Sequence, residues 1–256
     1  MVHLQKLSFT SNFTDNFIKD DRWKYLLNGL GTTLKITLGA IVIGIILGFL
    51  IAIVRSSADK MRKANSHSNF TPSLFFNKKI TFSNFIFYMV DDICKLYLTI
   101  IRGTPVVVQL MIIYYYIFAT VNIDKTFTAI IAFGLNSSAY IAEIVRSGIM
   151  SIDPGQEEAG RSLGLSYPKT MLYIIAPQAF KNILPALGNE FIVLIKETSV
   201  SGYIALQDLT KGGDIIRSIT YNPMALFAVA IIYLVVVMFF SWLLTILERK
   251  LRSSER

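Results

Sequence analysis

Apolar residues in this chain gather into long uncharged runs, not the short alternating blocks of a soluble domain. Ile36 to Val54, Gly103 to Ile123 and Met224 to Leu247 contain no Asp, Glu, Lys or Arg. About 20 apolar residues in a helix cross a hydrocarbon core of roughly 30 Å, so each run predicts a transmembrane helix. Thr126 to Ala142 is a fourth run, long enough to cross if Glu143 lies inside a bundle. A fifth is expected within Leu184 to Leu206, interrupted by Glu190, Lys196 and Glu197. Charges at such depth face protein or water, not lipid. The pattern therefore predicts an all-α membrane protein of about five transmembrane helices.

Composition supports this class and removes others. Of 256 residues, 53% are hydrophobic and 16% charged, and the mean hydropathy is +0.52. These values exclude an ordinary soluble domain and a disordered chain. The single cysteine, Cys94, rules out a disulfide framework, and His3 and His67 are too far apart in sequence for a His/Cys metal centre. No metal is expected.

A formal charge of +8 fits either nucleic acid or an anionic membrane surface, and the positions of Lys and Arg decide between them. Arg55, Lys60, Arg62, Lys63, Lys78 and Lys79 lie between the first two runs. Arg146, Arg161, Lys169 and Lys181 lie between the third and fourth, and Arg249, Lys250, Arg252 and Arg256 follow the last. The other side holds half as many: Lys6, Lys19, Arg22, Lys24, Lys125, Lys211 and Arg217. Cytoplasmic loops are enriched in Lys and Arg, so the amino terminus is expected outside and the carboxyl terminus in the cytoplasm. The basic balance marks a membrane topology, with lipid and not nucleic acid as partner.

Residues 1–27 are expected to form an extracytoplasmic amphipathic lead-in, polar at Asp15, Asp20 and Asp21, with Trp23 and Tyr25 suited to the interface. They lack the small-x-small cleavage site of an export signal. Residues 28–248 form the membrane domain and 249–256 a basic cytoplasmic tail. The segment 55–80, rich in Ser, Asn and Lys, reads as a cytoplasmic loop insertion, either touching anionic headgroups or simply solvated. Gly44 and Gly48 make a Gly-x-x-x-Gly pair whose plain meaning is close helix packing. Lys211-Gly212-Gly213-Asp214 reads as a turn outside the membrane.

The loop 150–177 carries the densest punctuation. Asp153, Pro154 and Gln156 fit an N-cap, a proline at the first helical position and a capping-box partner. The short helix they start is expected to run through Leu163 and to end at Gly164, which adopts a left-handed backbone at little cost. A second helix can begin after Ser166, with Pro168 in its first turn, and continue to Pro177. Two short helices with a glycine break make a rigid cytosolic elbow.

Glu158-Ala159-Gly160, Gly164 four residues later and Ile174-Ile175-Ala176-Pro177 resemble the cytoplasmic signature loop of ABC importer permeases. Gly160 stands where that pattern has its second alanine, and Ala176 where it has leucine; both keep a small or apolar side chain. The match widens at Arg102-Gly103-Thr104-Pro105 with Gln109, at Ala139 to Arg146 and at Gly155-Gln156. It continues at Leu184 to Asn189 and at Lys196-Glu197-Thr198-Ser199. Together these are similar to the polar amino-acid uptake subfamily, from about Gly29 to the end.

The resemblance implies a type I importer permease fold in a bacterial cytoplasmic membrane. Its implied partners are ABC ATPase subunits, a second permease copy or paralogue, and an extracytoplasmic amino-acid-binding protein. ATP and Mg would be bound by the ATPase, with no cofactor in this chain. It also implies that Gly155, Gln156, Glu157, Glu158, Ala159, Gly160, Arg161, Leu163 and Gly164 couple ATPase motion to the spans. On that basis Glu158 and Arg161 anchor the loop, Ala159 and Gly160 permit close approach, and Gly164 fixes the angle.

No phosphate loop or His-Glu-x-x-His helix occurs in the sequence, so no catalytic residue and no enzymatic activity of its own are expected. For the substrate path, Asn136, Tyr140 and Glu143 share one helix face at i, i+4 and i+7. Glu143 fits either the ammonium group of an amino acid or a salt bridge with Arg146 or Arg102. Glu190 and Glu197 share a face at i and i+7, with Lys196 about 100° away, and the expected arrangement there is an ion pair. A secondary carrier or channel acting without an ATPase is the alternative; it would more naturally show inverted repeats and leaves the elbow unexplained.

Overall fold

The computed structural model describes residues 9–67 and 82–253. Among them there are helices and no strand. In chain order these are α1 (Phe9–Phe13), α2 (Trp23–His67), α3 (Phe82–Gly103), α4 (Val106–Ile112) and α5 (Lys125–Met150). There follow α6 (Pro154–Ser162), α7 (Tyr167–Thr170), α8 (Ala176–Glu197), α9 (Leu209–Thr220) and α10 (Met224–Ser253). Among the described residues three helices are long and apolar enough to cross a membrane: α2, α5 and α10. Joining α3 to the segment after it across the break at Thr104-Pro105 adds a fourth.

Three expectations about elements are corrected. The uncharged run Gly103 to Ile123 is not one straight span: α3 ends at Gly103, Pro105 interrupts the ladder, and α4 passes into a wide turn over Ile113–Ile117. The proline has no N–H to continue the helix. The segment from Arg55 to His67 is not loop but the continuation of α2. No Gly or Pro occurs between Gly48 and Pro72 to stop it; residues 68–80 of the expected insertion lie outside the described residues. Lys211-Gly212-Gly213-Asp214 is not a turn but lies within α9, which Asp208 caps by accepting from Lys211 N at 3.0 Å.

The chain divides into two compact units. The first draws on Met1–Ile41, Val106–Gly134 and Phe191–Arg256. Its core joins Phe17 and Leu26 to Leu209, Ile216, Ala225 and Val229. Asn16 and Thr220, far apart in sequence, are tied by Thr220 Oγ1 donating to Asn16 Oδ1 at 2.9 Å. Asp208 is fully buried, and burial pushes its carboxyl up to about 6 against the bond from Lys211 N.

The second unit draws on Val42–Pro105 and Leu135–Glu190. Gly44 and Gly48 of α2 face α5, as their spacing predicts: a Cβ at position 48 would sit 2.7 Å from Ile141 Cγ2. Helix α3 packs Leu98 against Ala139 and Ala142, and Tyr97 donates to Leu135 O at 2.7 Å. Its opposite stripe, Ile86, Met89, Ile93, Leu96 and Ile100, is exposed at the i, i+3, i+7 spacing of an amphipathic helix. Asp91 on the inner side is fully buried and meets three cations: Arg55 at 3.3 Å, Arg62 at 2.8 Å and Lys95 at 2.7 Å. A carboxylate taken out of water needs such company.

Candidate functional site

The elbow forms as its capping chemistry predicts, with one difference. Asp153 Oδ1 accepts from Gly155 N at 2.8 Å, Pro154 occupies the first position, and Gln156 N donates to Asp153 O at 3.0 Å. The cap is closed by the backbone of Gly155, not by the side chain of Gln156. Gly164 has φ +84°, and Leu165 N donates to Gly160 O at 3.2 Å, the wide bond of a helix that ends on a left-handed residue.

The second helix does not stop at Pro177. After α7 a wide turn over Met171–Ile175 carries Ala176 N onto Met171 O. The helix then passes Pro177 and runs on as α8, with Pro185 inside it. A widened turn of this kind absorbs what a proline removes from the ladder.

The residues expected to couple divide between two faces of α6. Gly160 is buried, and a Cβ there would lie 2.7 Å from Thr170 Cγ2 and 2.8 Å from Ile174 Cδ1. Its close approach is thus to the second arm of the elbow itself. Glu157 points inward too, accepting from Lys60 Nζ at 2.6 Å, and Lys60 lies 4.5 Å from the Tyr167 ring centre. Gly155, Gln156, Glu158, Ala159, Arg161 and Leu163 are exposed. Leu163 is 81% exposed and Leu172 and Tyr173 of the second arm 62% and 68%, large apolar side chains left open on both arms.

Lys60 was not legible as a site residue, because the segment carrying it reads as a loop. Its signal was the unbroken stretch of helix-tolerant residues after Gly48. Asp59, beside it, lies 3.9 Å from Arg146 NH1, so the end of α2 reaches both the elbow and α5.

The three residues expected along a substrate path do not stay together. Asn136 is buried, whereas Tyr140 and Glu143 line two clefts. One, of about 560 Å³, is bounded also by Arg55, Lys95, Thr99 and Arg102; the other, of about 510 Å³, also by Ser147, Ser151, Asn182 and Glu190. Glu143 takes the salt bridges its neighbours offer: Arg146 NH2 at 3.0 Å and Arg102 NH1 at 3.8 Å. The ion pair expected at Glu190 is not formed among the described residues. Ser137 Oγ donates to Glu190 Oε1 at 2.7 Å instead, while Lys196 is exposed, as a 100° offset around the helix dictates.

Residues 82–253 match the family described as the binding-protein-dependent transport system inner membrane component. The chain belongs to this family. Among curated relatives of the permease, the arginine transport system permease protein ArtQ of Bacillus subtilis is 36% identical over 90% of this chain and 94% of its own. The glutamine transport system permease protein GlnP of Escherichia coli is 38% identical over 64% and 77%. A putative glutamine permease of Rickettsia typhi is 34% identical over 89% and 93%. Among solved structures, a crystal structure of an amino acid ABC transporter with histidines matches with TM-score 0.75 and 36% identity, over 95% of this chain and 99% of that one. The inward-facing MetNI methionine ABC transporter, at 17% identity, TM-score 0.69 and coverage of 91% and 99%, shares the fold.

Proposed function

We propose that this permease is the membrane subunit of an ATP-driven importer of a polar amino acid in a bacterial cytoplasmic membrane. It crosses the bilayer about five times, amino terminus outside and carboxyl terminus in the cytoplasm. It pairs with a second copy or a paralogue and receives substrate from an extracytoplasmic binding protein. ABC ATPase subunits bind and hydrolyse ATP with Mg; this chain contributes no catalytic group.

One observation carries the reading: an exposed two-armed elbow, capped at Asp153 and turned at Gly164, is braced from within by Lys60 and presents Glu158, Ala159, Arg161 and Leu163 outward. A rigid, capped protrusion passes motion on without deforming, which is what a coupling element requires. The relatives named for arginine and for glutamine both support amino-acid uptake and leave the amino acid open.

The test is reconstitution in liposomes with the ATPase and binding protein from the same organism. Uptake of labelled amino acids should require all three components and ATP, and Leu163→Glu should weaken association with the ATPase. Uptake by the permease alone, driven by an ion gradient, would establish a secondary carrier instead.

A further inference from the structure

Asp208 is a fully buried carboxylate where α2, α9 and α10 of the first unit meet. Its Oδ1 caps α9 by accepting from Lys211 N, while Oδ2 has no hydrogen-bond partner among the described residues. From α2, Thr33 Oγ1 accepts from Leu209 N at 3.2 Å. Gly29 and Gly212 leave no room for a Cβ against the Asp208 and Tyr25 carbonyls. From α10, the Tyr233 hydroxyl lies 3.3 Å from Thr210 Oγ1. The titratable groups around the carboxyl are Lys211, which pairs with Asp214 at 3.0 Å, and Tyr233, near enough to interact with its charge. From α2 come Thr33 and Gly29, which carry no charge, and the turn Thr198–Ile204 brings Gly202, where a Cβ would lie 3.8 Å from Asp208 Oδ1. A cleft of about 350 Å³, lined by Ser199, Gly202, Thr210, Lys211 and Asp214, reaches the same turn and gives water a route to it. Ionised, this carboxyl keeps one oxygen out of water with no donor; a proton on Oδ2 removes the charge.

We propose that Asp208 is a proton site on the extracytoplasmic side that latches the start of α9 to α2 and α10, closed when Oδ2 is protonated and released when the carboxylate is ionised. The proposal rests on the importer reading for its sidedness and its link to transport. Burial holds the carboxyl at about 6 in the packed junction, against the bond from Lys211 N, whereas a solvated carboxyl titrates near 3.8. The packed junction therefore keeps a proton that an opened one has lost. Raising the external pH from about 5 to about 7.5 should increase the opened fraction about tenfold, and an outer face that opens more readily should accept substrate faster.

The first test is amide hydrogen exchange of the permease and ATPase complex in nanodiscs, corrected for the intrinsic effect of pH. Exchange at residues 209–213 should accelerate about tenfold over that pH interval, with α5 changing less than about twofold. Asp208→Asn, neutral throughout and still able to cap, should exchange slowly at every pH. The second test is uptake into proteoliposomes with the binding protein at varied external pH. The ratio of wild-type to Asp208→Asn uptake cancels the binding protein's own pH response and should rise about threefold or more. Exchange that is flat, that shifts equally in α5, that persists in Asp208→Asn or that follows sodium at fixed pH overturns the proposal, as does a flat uptake ratio. Should the variant fail to assemble, acceleration confined to α9 in the wild type decides. The importer reading fails differently, by absence of ATP-dependent uptake at every pH.

Discussion

Lys60 Nζ lies 2.6 Å from Glu157 Oε2 across 97 positions of sequence, and the same ammonium sits over the Tyr167 ring. One lysine at the far end of α2 thus touches both arms of the elbow. The pair is partly solvated, at 39% and 28% side-chain exposure, so it adds no more than about 1 kcal/mol to stability. Its role is geometric. In the reconstituted importer, Lys60→Ala should leave insertion and ATPase association intact and lower uptake per ATP hydrolysed by roughly fivefold or more. Lys60→Arg, which keeps the charge and the ring contact, should restore most of it; an unchanged uptake-to-hydrolysis ratio in Lys60→Ala would remove the brace from the mechanism.

The two glycines of the elbow are constrained for different reasons, and their substitutions should differ in size. At Gly160 a side chain collides with Thr170 and Ile174 of the second arm, so Gly160→Val should force the arms apart and abolish ATP-dependent uptake. At Gly164 nothing lies within 4 Å of an added Cβ and only the positive φ resists, a cost of roughly 1–2 kcal/mol. Gly164→Ala should therefore retain partial uptake. Equal defects in the two variants, measured at matched membrane levels, would show that the contact at Gly160 is not what matters.

Asp91 and Asp92 are adjacent in sequence and opposite in consequence. Asp91 is buried among Arg55, Arg62 and Lys95, whereas the Asp92 side chain is 64% exposed. Asp91→Asn leaves the largely buried Arg55 without its carboxylate among the described residues, and Arg62 and Lys95 with Asp92 alone, and should destabilise the permease by about 3–5 kcal/mol. Asp92→Asn should leave the unfolding temperature nearly unchanged, since an exposed ion pair contributes little. Thermal unfolding in detergent, followed by tryptophan fluorescence, distinguishes the two.

Asp208, outside the candidate spans, gives a pH dependence with a definite sign. Its carboxyl titrates near 3.8 when free and is pushed up to about 6 by burial in the fold, and Oδ2 has no hydrogen-bond partner among the described residues. Between these values the folded state holds a proton that the unfolded state has lost, so stability falls as pH rises from about 4 to 6 and then levels off. The contribution amounts to at most about 3 kcal/mol. Asp208→Asn keeps the helix cap, since asparagine caps as well as aspartate. It should flatten this part of the Tm-against-pH curve; a curve of unchanged slope would assign the dependence to another group.

Much of the molecule was legible from local pattern. The runs at Ile36 to Val54 and Met224 to Leu247 announced α2 and α10 because an uncharged stretch of that length has few alternatives to spanning a membrane. The elbow announced itself because Asp153, Pro154 and Gly164 act on their own backbone, needing no distant partner. Where the local pattern misled, a distant partner or a neighbouring element was the reason. Arg55 to His67 looks like loop by composition, yet the charges of Arg55, Asp59, Lys60 and Arg62 are matched by Asp91, Arg146 and Glu157 from elsewhere in the chain, so the helix continues.

The sequence alone therefore determined class, number of apolar runs, charge asymmetry and the capped elbow, all of which depend on residues within a few turns of one another. Only the tertiary structure decided which charges meet. Glu143 found its arginines, Glu190 received a serine hydroxyl in place of the ion pair expected there, and Lys60 reached the elbow. Pairing of side chains many residues apart is set by how helices pack, and helical periodicity fixes only the direction in which each one points.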